Sequence, residues 1–166
     1  MAQVNVHIAG IGPYSPSAFM QTQRGENEDH NEFEQKFWRE RINRTSDGFV
    51  LIPGQAFVLA LVSAAGRLSE TVAGRQRATY KKYFTSGVRV LQPLVLPQRA
   101  DAVPGETRMV PADGRPGGSR RVAKTFARIE PWGGLVEFYI TDPIITRAVF
   151  ERTLSYAGKN VGIGRF

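Results

Sequence analysis

Over residues 4–9 apolar and polar positions alternate. Val4, Val6 and Ile8 fall on one side and Asn5, His7 and Ala9 on the other, the two-residue period of a strand with one buried face. The stretch "GPYSPSAFMQTQRGENEDHNEFEQ" that follows is rich in turn formers and acids without sustained periodicity. It reads as a long insertion over about residues 13–47. The tail of that insertion, "FEQKFWRERI", predicts a short amphipathic piece with Phe33, Phe37 and Trp38 facing inward. Next, "DGFVLIPG" gives a turn, a short strand and a break. Pro53 suits the first turn of a helix and holds Ile52 extended. Ala56, Phe57, Ala60, Leu61, Ala64 and Leu68 then recur at helical spacing, while Leu59, Val62 and Ala65 make the other side apolar too. A helix apolar nearly all round is expected to be buried.

Downstream, "SETVAGRQRATYKKYFTSG" reads as a basic connector and "VRVLQPLVLP" as a strand whose Pro93 demands an edge or a bulge. "GETRMVPADGRPGGSRRVAKTFARI" holds two extended arms about the hinge "DGRPGG". This predicts a β-hairpin over about residues 105–128 that protrudes from the sheet. "RVAKTFARI" is also expected to pair with "LVEFYI" across "EPWGG". Asp142 and Pro143 supply an N-cap and a first-turn proline for a second helix, with Ile144, Ile145, Ala148, Val149 and Leu154 as its buried stripe and Gly158 as its stop. "KNVGIGRF" is expected to close the chain as a short, glycine-bearing strand. The order predicts one α+β domain over residues 1–166, a modified ferredoxin-like βαββαβ sheet with helices on one face.

Composition then narrows the function classes. At 166 residues the chain has room for a real core without staples. It contains no cysteine, which excludes thiol nucleophiles, disulfides and thiolate metal sites and makes a reducing, cytoplasmic setting the expectation. "MAQVNVHIAGIGPYS" lacks the basic and apolar regions of a leader, and no apolar run approaches a bilayer span, so no membrane association is expected. The net charge of +7 is uneven: residues 1–50 hold five Lys/Arg against seven Asp/Glu, residues 51–166 seventeen against eight. A concentrated basic excess points to a polyanionic partner bound through phosphate neutralisation and counterion release.

Enzyme chemistry finds little material. His7 and His30 are the two histidines, and "EDH" at 28–30 is an acid–histidine cluster without a second half at a metal spacing. "GKNVGIG" fails as a phosphate loop, because no lysine follows its last glycine and it follows a helix instead of opening one. No nucleophile-elbow serine occurs. The expectation is therefore no catalytic residue, no metal and no cofactor. A nucleic-acid site has more support. Arg115, Arg120, Arg121, Lys124 and Arg128 lie within fourteen residues and interleave with Phe126, with Trp132 nearby. In an extended arm Arg120, Val122, Lys124, Phe126 and Arg128 share one face, and Arg121, Ala123, Thr125, Ala127 and Ile129 the other. The first face joins phosphate-holding cations to a stacking aromatic, the combination used for single strands. The alternative is a core Phe126 under a solvated, edge-protecting charged face. Arg75, Arg77, Lys81 and Lys82, with Tyr80 and Tyr83, form a second run of the same mixture.

"IPGQAFVLALVSAAGRL" resembles the "IPGSSLKGALR" signature of the RAMP superfamily, the RRM-like proteins that form the backbone of CRISPR effector complexes. In that family the motif follows a first strand and an insertion and leads into the first helix, as here. "GKNVGIGRF" is similar to an abbreviated form of the family's glycine-rich loop, which would bring Gly162, Gly164 and Arg165 close to a bound strand. Ala56 and Phe57 stand where small polar residues are usual, and the basic residue after them is absent. The resemblance implies a single RRM-like domain that binds single-stranded RNA or DNA and oligomerises along it, with the hairpin around "DGRPGG" as thumb. Some members of the family cleave RNA with an aspartate in the region where Asp29 stands. The resemblance fits equally a virus-encoded relative that binds single strands outside any CRISPR complex. Two other readings remain open: a structural assembly protein, such as a virion component with interlocking arms, and a metal-dependent nuclease using Asp29 and His30.

Overall fold

A computed structural model describes residues 1–75, 77–112, 115 and 120–165. In chain order the elements are β1 (Ala2–Ala9), α1 (His30–Phe37) with a 3-10 turn (Trp38–Arg41), β2 (Phe49–Ile52), α2 (Gly54–Leu68), α3 (Lys81–Gly87), β3 (Val88–Arg89), β4 (Leu94–Arg99), β5 (Gly105–Pro111), β6 (Arg121–Ala127), β7 (Gly133–Ile140) and α4 (Arg147–Asn160). The fold is α+β, with antiparallel pairing in the β1–β7–β3 sheet and in the β5–β6 hairpin. Among the described residues no helix is long and apolar enough to cross a membrane. The chain divides into two compact units.

The first unit comprises Met1–Ala9, Ile52–Leu94 and Gly133–Ile163. Its sheet runs β1–β7–β3, with Ala2 opposite Ile140 and Ala9 opposite Gly133. Val4, Val6 and Ile8 alternate with exposed Asn5, His7 and Ala9 along β1, as the sequence pattern requires. Helix α2 packs against α3 and α4. Phe57, Leu61, Phe84, Phe138 and Phe150 are buried in this unit, and the Phe138 and Phe150 rings meet edge-on at 5.4 Å. The "IPG" corner has a packing reason. A Cβ on Gly54 would stand 2.5 Å from the Val90 carbonyl oxygen and 2.8 Å from Val90 Cγ1, so a residue without a side chain lets the strand-to-helix turn close.

The second unit comprises Gly10–Leu51, Val95–Trp132 and the residues from Gly164 on. In it β2 pairs with β4, and β5 with β6 from Gly105 opposite Ala127 to Pro111 opposite Arg121. The hairpin is therefore present over the expected span, and its hinge "DGRPGG" lies outside the described residues except Arg115. Helix α1 and the 3-10 turn lie against β6. Phe33 and Trp38 are buried and Phe37 half-buried, in line with an amphipathic end to the insertion. Gly105 fits beneath Trp38 and Thr125; a Cβ there would come within 2.7 Å of both side chains.

Several local expectations are corrected. "VRVLQPLVLP" is two strands, with Pro93 in the break between β3 and β4, where its missing N–H costs no ladder bond. "RVAKTFARI" pairs with β5, and "LVEFYI" with β1 and β3, so the two do not form a hairpin across "EPWGG". The basic connector contains α3, whose Tyr83 and Phe84 are core residues. Helix α2 keeps one side open, with Leu59 56 % exposed. Asp142 caps a turn through Ile144 N at 3.0 Å, and the helix starts only at Arg147, capped by Thr146. Gly158 lies inside α4 on its exposed side; the helix ends at Asn160, with Gly162 at φ 71° donating to the Ala157 carbonyl. "KNVGIGRF" forms no strand among the described residues.

Candidate nucleic-acid interface

The second unit carries a cleft of about 370 Å³ lined by His30, Glu34, Arg41, Val110, Pro111, Ala112, Val122, Lys124 and Phe126. Its floor is built locally. Asp29 accepts from Asn31 N at 2.8 Å and Glu32 N at 3.2 Å, which caps α1 and fixes the helix phase. That phase turns Glu34 inward with Phe33, and its side chain is 3 % exposed. Arg41 grips Glu34 with both terminal nitrogens, at 2.6 and 2.8 Å, and the Thr125 N–H donates to the same carboxylate at 2.8 Å. Glu34 thereby ties α1 and the 3-10 turn to the middle of β6. Burial alone would raise the Glu34 pKa; the hydrogen bonds from Arg41 and Thr125, with the charges of Arg41 and Lys124, outweigh it and hold the carboxyl below its usual range.

The carboxylate is outnumbered. Lys124 has its pKa lowered by burial first, then by the charges of Arg165 and Arg41, against the pull of Glu34. Arg165 is lowered likewise, by burial and by Arg41. The charges of Lys124 and Arg165 thus act on one acid that Arg41 already occupies. Lys124 also stands directly across the hairpin from Arg108, a like-charge pairing that costs stability in a sheet. Arg108 is ion-paired to Glu106 at 2.7 Å, whereas no ion pair to Lys124 or Arg165 is present among the described residues.

The residues singled out from sequence separate accordingly. Lys124 and Phe126 line the cleft together, as their two-residue spacing on one strand face demands. Arg165 belongs to the same charge cluster. Arg128 shares the face but is held by Glu106 at 3.2 Å and Glu130 at 2.9 Å, so its charge is largely answered within the chain. Arg120 is exposed at the head of the arm. Gly164, at φ 87°, packs against Tyr14 and Ser15, and Gly162 terminates α4; both have conformational work of their own. Trp132 donates from Nε1 to the Gly12 carbonyl at 2.8 Å and lies beside Tyr14. Tyr14 is buried, which pushes its phenol up to about 12.

The other basic run lies in the first unit. Arg77, Lys81 and Lys82 line a shallow cleft with Thr79 and Thr85. Arg75 donates to the Tyr83 hydroxyl at 3.1 Å, and the Lys82 ammonium lies 4.9 Å from the centre of the Tyr83 ring. Tyr83 is 7 % exposed, so it supports the cations from below and offers no open stacking face. Sequence reasoning missed Glu34 and Arg41, which organise the larger cleft. Their signal was a carboxylate next to Phe33 and four residues before Trp38, hence on the inward side of a short helix. For the nuclease reading, the Asp29 carboxylate is engaged as a helix cap, and among the described residues no three metal-ligating side chains converge. No protein-family model matches the chain, and comparison with curated proteins finds no similar sequence.

Proposed function

We propose that this chain is a non-catalytic binding subunit for single-stranded nucleic acid, RNA preferred, that assembles along its ligand as RAMP-type backbone subunits do. The observation that carries the reading is the cleft in which Lys124 and Arg41 stand with Glu34 beside Phe126, with the charge of Arg165 acting on Lys124. A groove of this kind offers phosphate neutralisation and a ring for a base within one hairpin face. The ferredoxin-like reading is supported by the first unit, where strand, two helices, strand, strand and helix follow in order and β1 lies beside β7. That arrangement adds the short helix α3 to a βαββα order and has no closing strand among the described residues.

The structural-assembly reading draws on Ile11, fully exposed just before the insertion, on Phe19, almost fully exposed within it, and on Met109 of the hairpin, 56 % exposed. Fluorescence anisotropy with a labelled single-stranded RNA of about twenty nucleotides, its DNA counterpart and the matching duplex separates the two. The proposed function expects saturable binding of the single strands, RNA above DNA, with affinity falling steeply as salt rises. Ligand-free oligomers of fixed size with no binding to either strand would replace it with the structural reading.

A further inference from the structure

The two edges of the β1–β7–β3 sheet are built differently. At one, β3 is two residues long and carries Arg89, with Pro93 soon after; shortness, charge and proline are the means by which sheets discourage pairing with other chains. At the other, β1 runs for eight residues without a bulge, from Ala2 opposite Ile140 to Ala9 opposite Gly133. It contains no proline and no Lys, Arg, Asp or Glu. Among the described residues no strand lies on its outer side. The Gly10 N–H donates to the Trp132 carbonyl at 2.9 Å, which sets the phase of the ladder. Hydrogen-bonded residues alternate in an antiparallel pair, so Ala2, Val4, Val6 and Ile8 turn their backbone groups to β7, and Gln3, Asn5, His7 and Ala9 turn theirs outward. A row of backbone donors and acceptors is thus open along the strand. Val4 and Val6 are half-buried, whereas Phe138 and Val136, opposite them on the same face, are buried. With no neighbour on its outer side, β1 leaves its apolar row partly in solvent.

We infer that β1 is a dimerisation edge, pairing antiparallel with β1 of a second copy about a two-fold axis at Val6. The strand is complementary to itself. Self-pairing sets no Lys, Arg, Asp or Glu against its like, and the register with Val6 opposite Val6 keeps the faces in step and uses every outward group: Gln3 pairs with Ala9 of the second copy and Asn5 with His7. Val4 then faces Ile8 of the second copy, and the half-buried apolar row continues across the axis. The inference does not rest on the single-strand reading. Sedimentation of the ligand-free protein tests it. One strand a side is a small interface, so a dimer with a Kd of roughly 10–100 µM is expected. Asn5→Lys combined with His7→Lys sets like charges opposite each other and should weaken the dimer about tenfold or more, with the parent's far-UV spectrum retained. Because the chain has no cysteine, single substitutions also report the register without altering the edge's charge. Val6→Cys stands at a non-hydrogen-bonded position on the axis, with Cα atoms about 4.5 Å apart, and should oxidise to a covalent dimer. His7→Cys is out of step with its own copy across the axis, beyond the reach of a disulfide of about 7 Å, and should stay unlinked. A parent protein that remains monomeric up to about 1 mM, a dimer indifferent to both lysines, or cross-linking through His7→Cys in preference to Val6→Cys overturns the inference.

Discussion

Replacing Glu34 by glutamine separates the architecture of the second unit from its binding chemistry. The carboxylate is 3 % exposed and receives two bonds from Arg41, whose side chain is 14 % exposed, and one from the Thr125 N–H. An amide oxygen can keep the Thr125 bond but cannot answer the guanidinium. Removing one partner of a buried ion pair costs about 3–5 kcal/mol. Arg41 retains some access to water and one acceptor survives, so the loss should sit near the lower bound, about 3 kcal/mol. With a urea slope of about 2 kcal/mol/M, the midpoint of the unfolding transition should fall by roughly 1.5 M.

The pH dependence has a definite sign. The folded carboxyl lies below its usual range, so its stabilisation is complete above the ordinary glutamate value of about 4.3. That contribution is lost as pH falls through the lowered folded value, because the unfolded chain takes up the proton first. The variant should lack this acid-limb contribution. The same substitution removes the one negative charge among the described residues that line the cleft, so affinity for a single strand should rise while stability falls. A variant that unfolds with the parent protein would refute the anchoring role; one that is destabilised and binds more weakly at a temperature where it is folded would refute the charge argument.

Gly54→Ala, whose Cβ would meet the Val90 carbonyl oxygen at 2.5 Å, should cost about 1–3 kcal/mol through overpacking, whereas Gly158→Ala, in an open position of α4, should gain about 0.5–1 kcal/mol; thermal melts of the pair check both signs. If the subunits add head to tail along their ligand, light scattering should report complexes whose mass grows with oligonucleotide length, since such contacts leave an open end at each step. A monomer on every length would refute that assembly.

The parts of the fold legible in the sequence are those set by local period. Val4, Val6 and Ile8 mark β1, the spacing of Phe57, Leu61 and Ala64 marks α2, and the arms about "DGRPGG" mark the hairpin. What escaped depends on partners far along the chain. Whether β6 joins β5 or β7 is a matter of register and burial that neither strand's own pattern encodes. Tyr83 and Phe84 sit among Lys81, Lys82 and Arg77, so their place in the core is masked by the charges around them. Glu34 looks like one acid in the run from Glu26 to Glu40; only contact with Thr125, 91 positions away, makes it a buried anchor. Lys124 and Phe126 were readable as site residues because a strand fixes their common face. Arg128, on that same face, differs from Lys124 through Glu106 and Glu130, and the pairing across the hairpin that supplies Glu106 had to be seen.

That difference gives the most direct test. The dependence of log K on log salt for a single-stranded oligonucleotide should be measured for the parent protein, Lys124→Gln and Arg128→Gln. Removing an unpaired cation that contacts phosphate lowers the slope by roughly 0.7 for single strands. Lys124→Gln should therefore weaken binding and lose about that much slope, while Arg128→Gln, whose charge is engaged by two carboxylates, should change the slope little. A Lys124→Gln protein that stays folded and keeps the parent's affinity and slope would contradict the account.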